Sequence, residues 1–262
     1  MTRLLETRGA GFAISTMHLV RDVTIEVASG EVLAIVGANG AGKSTLLRLL
    51  AGDLRPTSGE VRIAEKSAAK TRPAELARLR AVLPQNSRME FAFPVREVVM
   101  MGRSPYRRTS SPQEDHAIVD ESMRRAGIAH LAGRSFPTLS GGEQARTCFA
   151  RILAQRTPLI LLDEPTAALD IRFQHLVLSE ARRLASEGAG VIAVLHDINL
   201  ASAYATRVAV MHAGELAAIG APEDVLTPET LSEIYHHPVD VIHDPRSGQR
   251  LVVPRPLLTS PG

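Results

Sequence analysis

Apolar positions along the chain come in short runs of two kinds, each cut off by glycine, proline or charge. The stretch Glu31 to Val36 is apolar almost without a break, as expected of a strand buried on both faces. A glycine-rich segment follows it, and then a helical spacing of leucines from Ser44 to Leu50 that Gly52 stops. Shorter β-forming runs recur at Glu60 to Ile63, Ala81 to Leu83, Leu159 to Leu162, Val191 to Leu195 and Val208 to Met211, with helical spacing between several of them. Strands that alternate with helices predict a mainly parallel sheet. Between Phe91 and Pro137 the strand signal disappears. There Pro94 is placed to open a helix through Met101, and Ser111, Pro112 and Glu114 supply the cap, first-turn proline and capping-box acid of another helix ending at Gly127.

The expected organisation is one domain: residues 1–87 and 137–235 as the core, 88–136 as an inserted helical subdomain, and 236–262 as a C-terminal tail. No apolar run approaches the roughly 18 to 20 residues that cross a bilayer, so a membrane role would be peripheral. The 28 acidic and 30 basic residues nearly cancel, which makes no case for nucleic acid as a partner. A single cysteine, Cys148, forms no internal disulfide, and the first residues have no secretory apolar core; the expected compartment is the reducing cytoplasm.

Candidate chemistry sits at two strand ends. Gly37-Ala38-Asn39-Gly40-Ala41-Gly42-Lys43-Ser44 fits the G-x-x-x-x-G-K-[ST] phosphate loop and lies between an apolar strand and a helix start, where that loop has to be. Its glycines let backbone N–H groups turn inward around phosphate oxygens, and the helix N-terminus adds partial positive charge. Lys43 is then placed to bridge the β- and γ-phosphates of ATP, Ser44 to ligate Mg²⁺, and Thr45 to line the same site. The second strand end is Leu159 to Leu162, followed by Asp163 and Glu164. Carboxylates delivered by an apolar strand suit a metal site and a base: Asp163 for Mg²⁺ through water, Glu164 for the attacking water. The fold class that follows is α/β, a phosphate-loop NTPase (RecA-like) with a mainly parallel sheet, a small antiparallel β subdomain and the helical insertion.

Leu139-Ser140-Gly141-Gly142-Glu143-Gln144, followed by Arg146, resembles the signature of the ABC ATPase family. By itself it reads as a helix N-terminus capped by Ser140 and Glu143, a second anion site. Gln85, the segment Ala168-Leu169-Asp170, and His196 stand in the family's order along nearly the whole chain. The resemblance implies that Gln85 senses Mg²⁺ and the attacking water, that Asp170 helps join two protomers, and that His196 contacts the γ-phosphate. Ser140, Gly141 and Gly142 of one copy would close over ATP held by another, in a homodimer beneath a membrane permease. Phe91, Phe93, Val95, Arg103 and Tyr106 are candidates for the permease groove. The family usually stacks adenine on an aromatic upstream of the phosphate loop; that position falls near Ile14 here, a departure from the pattern, with Phe12 the only nearby ring.

The stretches Val82 to Gln85, Phe91 to Val95 and Glu97 to Pro105 resemble ATPases of importers for siderophores, haem and cobalamin. Arg134, Leu153 to Gln155, Leu195 to Ala201 and the tail Val241 to Pro245 with Gly248, Val253 and Pro254 are most similar to the haem importers. The resemblance thus implies haem import on the cytoplasmic face of the inner membrane, with a periplasmic haem-binding protein as indirect partner; siderophore or cobalamin is the alternative cargo. A soluble ABC ATPase of repair or translation is the remaining rival, against which the chain lacks coiled-coil heptads and basic runs. His236, His237 and His243 are read as tail histidines and not as haem ligands.

Overall fold

The computed structural model describes residues 2–85, 92–167, 169–246 and 248–256. The chain begins with β1 (Arg3–Ile14), β2 (Met17–Val23), β3 (Glu26–Ala28), β4 (Val32–Gly37), α1 (Lys43–Ala51), β5 (Ser58–Ile63) and β6 (Lys66–Ser67). It continues through α2 (Pro73–Leu79), β7 (Arg80–Leu83), α3 (Val95–Met100), α4 (Pro112–Arg125), α5 (Gly141–Gln155), β8 (Leu159–Asp163) and α6 (Ile171–Ser186). The last elements are β9 (Gly190–Val194), α7 (Ile198–Tyr204), β10 (Arg207–His212), β11 (Glu215–Gly220), α8 (Pro222–Val225), α9 (Pro228–Tyr235), β12 (Val239–His243) and β13 (Arg250–Pro254).

Six strands form the central sheet in the order β11-β10-β4-β9-β8-β7, parallel except for the antiparallel edge strand β11. Every residue of β4, β8 and β9 is buried, the reason their sequences lack polar alternation. Successive side chains feed two cores. Leu33, Ile35, Leu161 and Ile192 pack with α1 and the antiparallel sheet β2-β1-β5-β6. Ala34, Val36, Leu162 and Ala193 face the core shared with α3, α4, α5 and α6. Period two thus sorts one strand's residues between two layers.

The helical segment follows its local signals. Pro94 caps α3 at Val95, and past Met100 the chain tightens into a 3₁₀ turn over Met101–Tyr106. Ser111 accepts from the Glu114 N–H and Pro112 opens α4, which ends at Arg125 with Gly127 at φ +67°. The 3₁₀ turn is pinned from beneath: Arg103 is buried, pairs with Asp115 at 2.7 Å and donates to the Ala154 carbonyl at 3.0 Å. Val95 is likewise fully buried. Neither lines an open groove, which corrects that expectation; the burial of the turn against α5 is a tertiary fact that the local sequence does not state. Phe93 is exposed, Tyr106 half-buried, and Phe91 lies outside the described residues.

Gly102 approaches α5 so closely that a Cβ there would stand 2.2 Å from the Arg151 carbonyl oxygen. Gly102→Ala is expected to cost about 1 to 3 kcal/mol through overpacking, read as a lower midpoint in urea unfolding with an unchanged slope.

The segment after residue 235 also departs from expectation. It is not a simple tail: β12 and β13 pair as an antiparallel hairpin that leans on α7. The Asn199 side chain holds it at both poles of one residue, accepting from the Val252 N–H at 2.7 Å and donating to the Val252 carbonyl at 3.3 Å. Val239 and Val252 are buried beneath it. His236 and His243 are exposed as expected, while His237 is half-buried with Nε2 2.7 Å from the Arg255 carbonyl.

Candidate nucleotide site

Four neighbouring parallel strands, β4, β9, β8 and β7, end at the same edge of the sheet, and each releases one piece of the site there. Ligands of open α/β sheets gather at this carboxyl edge because the loops diverge and leave a crevice. From β4 comes the phosphate loop, whose last glycine, Gly42, takes φ +94°. A Cβ at Gly42 would meet the Leu19 carbonyl at 2.4 Å, so the position requires glycine twice over. Lys43 bends back over the loop and donates to the carbonyls of Gly37 and Ala38, both at 2.9 Å. Burial lowers the Lys43 ammonium from its usual value, with Glu164 and Asp163 opposing that shift.

β8 ends in the acidic pair. Asp163 accepts from the Ser44 hydroxyl at 3.2 Å, joining the two residues assigned to the metal. Burial raises the Asp163 carboxyl above its usual range, and the Ser44 bond opposes this. Glu164 turns out of the strand in the left-handed region, φ +49°, a conformation costly for any residue but glycine. The turn puts its carboxylate between two groups from neighbouring strands: Oε2 accepts from Gln85 Nε2 at 2.6 Å, and Oε1 lies 2.6 Å from His196 Nε2. Gln85 follows β7 and His196 follows β9, so strand order alone brings together residues 79 and 32 positions apart from Glu164. Asp197 caps α7 through the Asn199 and Leu200 N–H groups, which leaves His196 as the last residue before the helix turn.

The signature segment forms the capping box expected of it. The Ser140 N–H donates to Glu143 at 2.8 Å and the Glu143 N–H to the Ser140 hydroxyl at 3.4 Å, with Gly141 and Gly142 opening α5. Among the described residues no hydrogen bond or ion pair joins Ser140, Gly141 or Gly142 to the phosphate-loop cluster of the same chain. Asp170 caps α6 through the Phe173 N–H at 3.0 Å; Ala168 lies outside the described residues. Cys148 and Thr147 are buried in α5, with the Thr147 hydroxyl spent on the Glu143 carbonyl. Ile14 projects into solvent at the tip of the β1–β2 hairpin and pairs with Met17, while Phe12 is half-buried.

Sequence reasoning missed the braces. Gln174 donates to the carbonyls of Thr166 and Leu169, at 3.2 and 3.1 Å, and so holds the chain between Glu164 and Asp170. Arg146 lays its guanidinium 3.7 Å from the Phe173 ring centre and donates to the Gly127 carbonyl at 3.1 Å, tying the signature helix to α6. Tyr235, whose hydroxyl burial raises, faces the Gly37 amide. Each brace depends on a distant backbone group, and periodicity carries no signal for that.

The family model described as ABC transporter matches residues 20–167. The chain belongs to the ABC transporter family. This ABC protein is an ATP-hydrolysing subunit of α/β fold. The hemin import ATP-binding protein of Nocardia farcinica is 51% identical over 237 residues, covering 90% of this chain and 82% of that protein. A chain of a metal-chelate type ABC transporter in an inward-facing conformation superimposes with TM-score 0.83 at 30% identity, covering 98% of each chain. The dimeric structure of a bacterial ABC transporter cassette superimposes with TM-score 0.76 at 26% identity, covering 84% of this ABC protein and 99% of that chain.

A consequence for stability follows from Asp163. A carboxyl raised by burial carries no penalty well below the ordinary aspartate value; the penalty sets in as pH rises past that value and is complete once pH has risen through the folded value. Asp163→Asn is therefore expected to unfold at higher temperature than the parent near pH 8, by on the order of 1 kcal/mol, with the gain shrinking toward acid pH. Calorimetry of both proteins without nucleotide across that range checks the sign.

Proposed function

We propose that this ABC protein binds ATP and Mg²⁺ between two of its copies and uses hydrolysis to drive haem through a membrane permease, from the cytoplasmic face of the inner membrane. The observation that carries the hydrolytic part is the Glu164 carboxylate, gripped by Gln85 and His196 beside Lys43, Ser44 and Asp163. The donor set fits the groups it would hold. Lys43 rests on its own loop's carbonyls, bonds that phosphate oxygens can replace, and the N-terminus of α1 beside it adds partial positive charge. Ser44 and buried Asp163 offer the hard oxygen donors that Mg²⁺ takes, and its charge would relieve the desolvation of Asp163. Mg²⁺, when bound, supplies charge that stabilises the departing phosphate oxygens.

In this reading Glu164 accepts the proton of the attacking water, Gln85 holds that carboxylate toward the water, and His196 donates toward the γ-phosphate. Ser140, Gly141 and Gly142 of the second copy cover the phosphates from the opposite side, and Asp170 stands at the seam. Support for two copies comes from the dimeric cassette noted above.

The name of the Nocardia relative supports haem as cargo; the metal-chelate neighbour supports the siderophore reading as the second one. Reconstitution with the permease in liposomes tests the choice. ATPase activity is expected to rise with a haem-loaded periplasmic binding protein and not with a siderophore-loaded one, and the opposite result overturns haem. Recovery with ribosomes or DNA in place of a permease would remove transport altogether.

A further inference from the structure

His196 has little packing of its own. Its side chain is 48% exposed, and Nε2 meets the protein at the Glu164 carboxylate. An imidazole placed in this way stays on its partner only while the backbone on both sides of it stays still. On one side the backbone is the end of the sheet, where the Leu195 N–H donates to the Ile35 carbonyl at 3.0 Å. On the other it is the first turn of α7, made of Ile198, Asn199, Leu200 and Ala201.

That turn is held from outside by one polar side chain. Both bonds of the Asp197 cap lie within α7 and fasten it to nothing else. Leu200 and Ala201 are buried, but apolar contact is non-directional and sets no exact position. Asn199 does set one. It reaches 53 positions along the chain, accepting from the Val252 N–H at 2.7 Å through Oδ1 and donating to the Val252 carbonyl at 3.3 Å through Nδ2. Val252 faces Val241 across the C-terminal hairpin, and its N–H and carbonyl belong to the open edge of β13. A side-chain amide carries the same donor and acceptor as a peptide, so Asn199 closes that edge as a neighbouring strand would. The hairpin is itself anchored: the Val239 N–H donates to the Ser232 hydroxyl of α9 at 3.0 Å, and Arg250 donates to the Glu223 carbonyl of α8. The far end of α7 has a separate tie, the Tyr204 hydroxyl lying 2.7 Å from His175 Nδ1 of α6.

We infer, on the role proposed above for His196 toward the γ-phosphate, that Asn199 is a positioning residue of the hydrolytic site: bound to Val252, it seats the first turn of α7 on the C-terminal hairpin and thereby fixes the His196 imidazole on the Glu164 carboxylate. Asn199 is the third residue after His196, less than one helical turn away, so movement at one passes to the other. Removing the amide leaves the two backbone groups of Val252 without their partner and frees the turn to shift. A hydrogen bond of 2.6 Å is lost with a displacement of about 1 Å.

The test measures single-turnover phosphate release and ATP affinity in the parent, Asn199→Ala, His196→Ala and the double variant, with the ring carbon–proton NMR signals of the histidines in the nucleotide-free proteins. Asn199→Ala is expected to release phosphate about 10 to 100 times more slowly at saturating ATP, with parental affinity for ATP. Added to His196→Ala, the same change is expected to slow release no further, because both substitutions remove one interaction. The His196 signal, assigned by its loss in His196→Ala, is expected to move in Asn199→Ala, while that of His175 at the other end of α7 keeps its position. Parental release in Asn199→Ala overturns the inference, as does an equal loss in both backgrounds or a His196 signal that does not move. A fall in ATP affinity matching the fall in release marks general loosening and also overturns it. His196→Ala at the parental rate removes His196 from hydrolysis and sinks the reading on which Asn199 depends, a result distinct from the others.

Discussion

Glu164→Gln is expected to hydrolyse ATP about 10² to 10⁴ times more slowly than the parent while binding ATP with parental affinity. Glutamine keeps the shape of the side chain and an oxygen that can accept from Gln85, so the cluster of Gln85, residue 164 and His196 stays assembled. What disappears is the capacity to take a proton from water. Because the effect falls on one proton transfer, turnover carries the loss, and phosphate release measured beside binding of a fluorescent ATP analogue separates the two. In the proposed two-copy arrangement the variant should also remain dimeric longer with ATP than the parent, since hydrolysis would remove the phosphate lying between the copies. A Glu164→Gln protein with parental turnover would take Glu164 out of the base role.

Lys43→Ala is expected to lower turnover by about 10² to 10³, the usual cost of removing one group that stabilises transition-state charge from a preorganised site. Ser140→Arg should be comparably inactive for a different reason, since it fills the anion site at the start of α5 with a bulky cation that must be accommodated at the seam. The informative measurement is the mixture. If phosphate loop and signature from different copies make each site, a mixed dimer has one site bearing both defects and one bearing neither. Random mixing in equal amounts then restores about a quarter of the parental rate, provided that one sound site turns over alone. A mixture as inactive as its parts would count against shared sites.

The nucleotide-binding half of this molecule was legible because its signals are local. A phosphate loop needs a strand before it, glycines within it and a helix after it, all inside about twenty residues. Gly42 carries that logic to its end, with a positive φ and a carbonyl 2.4 Å from where a Cβ would stand. The Ser140–Glu143 box likewise closes over three residues, and the structure forms it as the spacing predicts. The misreadings had the opposite character. Val95 and Arg103 were candidates for a permease groove, yet both are buried, Arg103 against the Ala154 carbonyl of α5. The segment after residue 235 looked like a tail because prolines and charges interrupt it, yet pairing of β12 with β13 and the grip of Asn199 give it a fold.

The amino-acid sequence by itself determined the strand–loop–helix unit around Lys43, the acidic strand end at Asp163 and Glu164, and the capped helix at Ser140, since each arises from contacts within one or two turns of chain. Only the tertiary structure decided that Gln85 and His196 meet on the Glu164 carboxylate and that Asp163 meets Ser44. Those meetings depend on β7, β8, β9 and β4 lying side by side, an order set by how the helices cover both faces of the sheet and by no property of the individual strands. Adjacency in a parallel sheet is bought with long crossovers, so the residues it unites are necessarily far apart along the chain.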